Sequence, residues 1–243
     1  MNYNINTGKN DLMYNSDLFK DICNSKITVI NDSCYDFILF NNLNNKNKIK
    51  KIIGNELLYY FNKLKVNKGN HILIVGIGND NYTADSIGPR VLKHLNINAY
   101  LDTMGYGLED TKVSALEPGV LGETGILTAT TIKSVVKEIK PDLVILVDSL
   151  ITDNVDYINK CIEITDIGLS SSNGISQLEF DINEKTLGIP VILIGVVSAI
   201  LVSFNNDSGN RQYLLSTKDV DKYVNDISFL IGDSINKAVR SLK

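Results

Sequence analysis

Residues 71–90 read HILIVGIGNDNYTADSIGPR. The first third, His71 to Ile77, is an unbroken apolar run closed by glycine. A strand with one wet face alternates apolar and polar residues; a strand covered on both faces, as in a parallel sheet, does not. A polar loop follows, and then a stretch expected to be helical from about Asp85 to Leu95. Strand, glycine loop and helix in that order open a strand–helix–strand unit.

The pattern repeats downstream. Leu143 to Asp148 (LVILVD) and Val191 to Val196 (VILIGV) read as further buried strands, with Val197 to Phe204 leaving the second. Asn98 to Thr103 reads as a strand, and Cys161 to Asp166 as a short one before a Ser/Asn/Gly loop. A glycine-rich turn opens a helix expected over Thr124 to Lys140, closed before Pro141. Val220, Val224, Ile227, Ile231 and Ile235 mark a last helix between Thr217 and Leu242, with Ser216 and Asp219 spaced as a capping box. Upstream, Ile52, Ile53, Leu57, Leu58, Tyr60 and Phe61 recur at helical spacing, and that helix ends near Lys65. The basic run Asn44 to Lys51 reads as a solvated helix face, and residues 1–40 as an extension or arm over the core. The expected fold is therefore α/β and three-layered, with a largely parallel or mixed sheet and helices on both faces. It forms one domain over 1–243, with an extension (1–40), a helical arm (41–66) and a core (70–242).

The chain has 243 residues, 44% of them hydrophobic and 21% charged, with a formal charge of -4. That balance gives no reason to expect a nucleic acid or an anionic membrane as partner. Three cysteines, widely spaced, make neither a disulfide framework nor a zinc pattern and suit a reducing cytosol. No basic and apolar leader pattern opens the sequence. Leu187 to Phe204 carries no charge, but Gly188, Pro190 and Gly195 interrupt it, so a buried strand is the better reading than a membrane span.

In open α/β sheets ligands bind beyond the carboxyl ends of the strands. Two segments put acids there: the loop from Gly76 to Arg90, which holds Asp85, and Asp148-Ser149 after its apolar run. Two carboxyls brought together repel, so that one keeps a proton while the other ionises, which suits acid–base activation of water. Each also has a purely structural reading, as a cap on the element that follows. Gly76 and Gly78 with Asp102 mimic a dinucleotide fingerprint, but the third glycine position is Asn81, and Asp80 and Asp85 would repel a pyrophosphate. Glu117 to Ile126 resembles a phosphate loop without its lysine. Its backbone N–H groups can hold a carbonyl oxygen, or the turn can serve only close packing. No serine, cysteine or zinc-protease motif is present, and the two histidines, His71 and His94, lie on regular elements.

The motifs together resemble a known family. GIGNDNYTADSIGP (76–89) resembles the glycine–asparagine loop and T-x-D-x-x-G-P segment of the spore germination proteases, and VSALEPGVLGETG (113–125) resembles their V-S-A-L-x-P-G-V-x-G-x-T-G stretch. PDLVILVDSL (141–150), ITDIG (164–168) and TLGIPVILIGV (186–196) follow in family order, and Leu215 to Val239 resembles the last helix. The resemblance implies an atypical aspartic endopeptidase that degrades small acid-soluble spore proteins on germination. It further implies a fold like that of the hydrogenase-maturation proteases, zymogen synthesis, homo-oligomers and a place in the cytoplasm of the forespore or spore core. It carries the two essential aspartates over to Asp85 and Asp148. By position, Asn79 is expected to orient the loop or substrate, and backbone donors around Gly119, Gly122 and Thr124 to steady an oxyanion. No cofactor, metal, nucleic acid or membrane is implied. Three stretches depart from the family: Ser172 to Gln177 is reduced, Gly195-Val-Val-Ser198 replaces G-V-P-T, and a long segment shrinks to about Asn205 to Gln212. Two other readings remain. One is a metal-dependent maturation-type protease, although no histidine follows His94 to complete its ligand set. The other is an inactive relative that binds spore proteins.

Overall fold

The computed structural model describes residues 28–31, 35–107, 110–169, 181–206 and 209–243. Residues 1–27 of the expected extension, and the Ser/Asn/Gly loop at 170–180, lie outside that set. In chain order the elements are β1 (Thr28–Asn31), β2 (Asp36–Leu39), α1 (Lys46–Lys63), β3 (His71–Gly76), α2 (Ile87–Leu92), α3 (Ala99–Thr103), β4 (Lys112–Leu116), α4 (Leu121–Thr124), α5 (Thr128–Ile139), β5 (Leu143–Thr152), β6 (Cys161–Thr165), α6 (Glu184–Leu187), β7 (Val191–Asn206), β8 (Gly209–Leu215) and α7 (Val220–Arg240). The strands form one sheet in the order β1-β2-β6-β7-β5-β3-β4, with β8 pairing β7 off this path. β4, β3, β5 and β7 run parallel, and the other four strands are antiparallel to their neighbours.

The apolar runs are explained by helices on both faces. Ile72, Ile74, Ile145 and Val147 meet α1, α2 and α7 through residues such as Ile53, Phe61, Val91 and Ile231. Leu73, Val75, Val144 and Leu146 point the other way, onto Ala129, Ile132 and Val136 of α5. Every position from Ile72 to Gly76 and from Leu143 to Asp148 is therefore buried, and the alternation that would mark a half-wet strand is lost. β3 pairs β4 on one edge and β5 on the other. The chain thus switches direction across β3, and a crevice opens at the carboxyl ends of β3 and β5.

Several sequence expectations need correcting. Asn98 to Thr103 is not a strand: Ala99–Thr103 is a short helix with no buried residue. Its alternation lacked a core to face. The Asn98 side chain instead accepts from the Val113 N–H at 2.7 Å and donates to Thr111 O at 3.0 Å, so it fastens the start of β4. The strand beside β3 is Lys112–Leu116. Val197 to Phe204 does not leave its strand, because β7 continues to Asn206 as a hairpin with β8. No helix among the described residues is long and apolar enough to cross a membrane. Ser216 does not close a capping box on α7. Its hydroxyl donates to Ser198 O at 2.7 Å and ties the hairpin base to β7. Within residues 1–40, Thr28–Asn31 and Asp36–Leu39 extend the sheet edge, and Ile38 and Phe40 enter its core.

The first turn of α2 lies on the backbone of the two central strands. A Cβ on Gly88 would stand 2.2 Å from Ile77 O and 2.6 Å from Val147 O, and one on Gly76 would stand 2.4 Å from Gly88 O. All of these obstacles are backbone and cannot swing away. Gly88→Ala is therefore expected to cost about 1–3 kcal/mol by overpacking. Gly54→Ala, in the interior of α1 with nothing within 4 Å of an added Cβ, is expected to add about 0.5–1 kcal/mol. Thermal melts of the two variants check this. Equal melting temperatures would refute the close approach.

Candidate active site

Asp85 is the last residue of a single 3₁₀ turn, Thr83–Asp85, that precedes α2. It is not a helix cap. Ser86 holds that position, and the Asp85 carboxylate turns back to accept the Asn79 N–H at 3.0 Å. The Asp85 carbonyl accepts the same N–H at 3.1 Å. Gly78 permits this fold-back: its φ is +134°, and a Cβ there would lie 1.9 Å from Asp85 O. The turn is anchored from below by Ser198, whose buried hydroxyl donates to Ala84 O at 2.5 Å.

Asp148 lies inside β5, opposite Gly195 of β7. It is 3% exposed. Its Oδ1 accepts the N–H of Ser149 at 2.8 Å, and among the described residues its Oδ2 is buried without a partner. It caps no following element, since β5 continues to Thr152. β5 and the loop after β3 therefore bring Asp85 and Asp148 to one cavity of about 260 Å3. Asn79, Tyr82, Thr128, Ser149 and Leu214 share its wall.

Burial pushes the Asp85 carboxyl up to about 6, countered by its bond from Asn79 and reinforced by Glu123. Burial also pushes Asp148 up, to about 8, with the Asp85 charge adding to the effect and the Ser149 N–H opposing it. The deeper group bears the repulsion and keeps its proton, while the shallower group ionises first. A protonated Oδ2 also lessens the penalty of an unpartnered buried oxygen.

The expected binding residues are divided. Asn79 lines the cavity. Gly119 (φ +69°), Gly122 and Thr124 do not line it, though Val120 and Leu121 do. Three of that turn's backbone donors are already engaged: the N–H groups of Glu123 and Thr124 on Val120 O, and that of Gly125 on Leu121 O. The Thr124 hydroxyl closes the turn by donating to Val120 O and accepting from Ile126 N–H, both at 3.1 Å. The Gly119 carbonyl accepts from Thr128. Sequence reasoning missed Tyr82, Thr128, Ser149 and the hairpin residue Leu214. Ser149 has a signal in its place beside Asp148, whereas Leu214 has none, because the mostly polar run Gly209–Leu215 does not mark a strand. Asp102 pairs with Lys112 rather than facing a ligand loop. His71 bonds Ser114 at the far end of β3 and His94 packs edge-on against Phe229, so neither lines the cavity. Cys161 is buried. Among the described residues no three His, Cys, Asp or Glu side chains gather as a metal site.

The raised carboxyls give stability a direction with pH. Asp148 ordinarily titrates at 3.8 and in the fold at about 8. Between those values the native state holds a proton that the unfolded chain has lost, so stability falls as pH rises across the window. Asp148→Asn removes that dependence. Its melting temperature is expected to exceed that of the parent by a margin that widens from about pH 4 to about pH 8. A constant margin would contradict the assignment.

The germination protease family profile matches residues 35–215. The germination protease of Caldanaerobacter subterraneus subsp. tengcongensis is 33% identical over 204 residues, covering 82% of this chain and 61% of that protein. Those of Clostridium acetobutylicum and Bacillus velezensis are 35% and 39% identical over 158 and 160 residues, covering 48% and 42% of their own lengths. The chain thus spans less than two thirds of the length of these curated relatives. It belongs to the germination protease family.

Proposed function

We propose that this family member is an endopeptidase that cleaves small acid-soluble spore proteins in the forespore or spore core, with Asp85 and Asp148 as its catalytic pair. The observation that carries the reading is two carboxyls, driven to different proton affinities, on the wall of one cavity at the sheet's switch point.

Near neutral pH the two groups divide the work. Ionised Asp85, oriented by the Asn79 N–H, takes a proton from a water held in the cavity. The hydroxide equivalent attacks the peptide carbonyl carbon. Protonated Asp148 donates from Oδ2 to the carbonyl oxygen, which carries the developing charge. Collapse of the resulting gem-diol breaks the C–N bond: the proton gained by Asp85 passes to the leaving amine, and a hydroxyl proton of the diol returns to Asp148 as the product carboxyl forms, which restores the pair. Val120 and Leu121 also line the cavity and help hold the substrate.

Purified protein incubated with small acid-soluble spore proteins is expected to give discrete fragments by mass spectrometry. Asp85→Asn and Asp148→Asn should each lose at least about 10²–10⁴-fold in rate, the usual contribution of a positioned acid or base. The profile of kcat/KM should be a bell with limbs near the two carboxyl values, about 6 and about 8. Intact substrate at every pH would refute the reading. Loss of cleavage on chelation would favour the metal-dependent maturation-type alternative, and binding without cleavage the inactive-relative one.

A further inference from the structure

β3 ends at Gly76, opposite Val147, while β5 runs on to Thr152. β7 covers the other edge of β5 over this whole stretch. On the β3 side, residues 148–152 pair with no strand among the described residues. In a strand, alternate residues turn both backbone groups to the same side. The Val147 carbonyl accepts from Ile77 N–H on the β3 side at 2.9 Å, and Val144 N–H donates to Pro190 O on the β7 side at 3.1 Å. The backbone groups of Ser149 and Ile151 therefore point to the edge that β3 vacates. Both residues line the cavity that holds Asp85 and Asp148.

The edge carries two marks of a missing partner. The Ser149 N–H, which a further strand would engage, is taken up by Oδ1 of the carboxyl of its own neighbour, Asp148, at 2.8 Å. The Ser149 hydroxyl is buried and has no partner among the described residues. Ile151, Ala84, Ala199 and Leu214 supply small apolar walls beside it. The open edge over Ser149–Thr152 is about 13 Å long at ~3.3 Å per residue.

We infer that the substrate binds as an extended strand along this vacant edge of β5, pairing with the backbone of Ser149 and Ile151, so that its scissile carbonyl is carried across Asp148. The inference rests on the protease reading for the identity of the peptide. Strand addition supplies main-chain hydrogen bonds in alternate register and leaves pockets for alternate side chains. It also gives the Asp148 carboxyl a second task. Incoming backbone displaces it from the Ser149 N–H and frees it to turn toward the substrate carbonyl. An edge that engages backbone alone accepts varied sequences. Selection then falls to the side chains that meet the Ile151, Ala199 and Leu214 wall, which favours small or aliphatic residues there.

The test places the change on the peptide, because a proline in β5 would risk the core. Asp85→Asn serves as an inactive trap that keeps an acceptor for Asn79. Tiled, fluorescently labelled peptides of a small acid-soluble spore protein are titrated against it by anisotropy, and the tightest binder is then N-methylated at one amide at a time. Strand addition predicts a period of two: about tenfold weaker Kd at every second position of one short stretch, and little change between. A flat profile, effects without alternation, or no binding by any tiled peptide would overturn the inference. Alternating binding alongside a wild-type protein that cleaves nothing would instead strike the proposed chemistry and leave the docking edge standing.

Discussion

Backbone meets backbone without an intervening side chain where the first turn of α2 crosses the ends of β3 and β5. Gly76 and Gly88 make that contact possible, since a Cβ on either would fall within 2.4 Å of a main-chain oxygen. With the turn held this low, the loop between them must fold back on itself, and Gly78 lets Asp85 return to bond Asn79. A carboxyl on that loop is thereby brought to the cavity that the buried carboxyl of β5 reaches from the sheet. The site is less a pocket added to a fold than the consequence of packing a helix onto a sheet too closely for side chains to separate them.

Burial then does what the contact makes possible. Asp148 sits on a central strand flanked by Gly195, away from water, so its charged form is disfavoured first by desolvation and then by the Asp85 charge. Asp85 is nearer solvent and has a backbone donor, so it ionises at lower pH. Ser198 and Ser216 extend the support outward: one hydroxyl anchors the Asp85 turn to β7, and the other ties the base of the β7–β8 hairpin to Ser198. Of the two positions that depart from the family's G-V-P-T, Val197 and Ser198, the second thus fastens the aspartate loop.

Much of this was legible in the chain. The doubly buried strands at His71 and Leu143 announced themselves because both faces of each are covered, and the two aspartates followed from the rule that sites lie beyond strand carboxyl ends. What was not legible had physical causes. Lys112–Leu116 has two polar residues among five and lies at a sheet edge. Its apolar residues are too few and too broken to mark a buried strand, and the alternating Asn98 to Thr103 reads as the strand instead. β7 runs past its pairing with β5 and β6 into a hairpin with β8 whose strands satisfy each other, so nothing in its composition marks where one pairing gives way to the next. The turn at Gly119 to Thr124 looked like a nest of free donors, but several of its N–H groups bond within it. A sequence shows which residues can donate and not which are already engaged.

The central claim is that one fold drives two aspartates to different proton affinities in a shared cavity. Carbon-detected NMR of protein labelled at the aspartate side-chain carboxyls measures this directly, with Asp85→Asn and Asp148→Asn spectra for assignment. The account predicts one carboxyl titrating near 6 and a second near 8. It also predicts that the Asp148 resonance moves to a lower midpoint once the Asp85 charge is removed. Both carboxyls titrating near the ordinary value of 3.8, each unaffected by loss of the other, would contradict it.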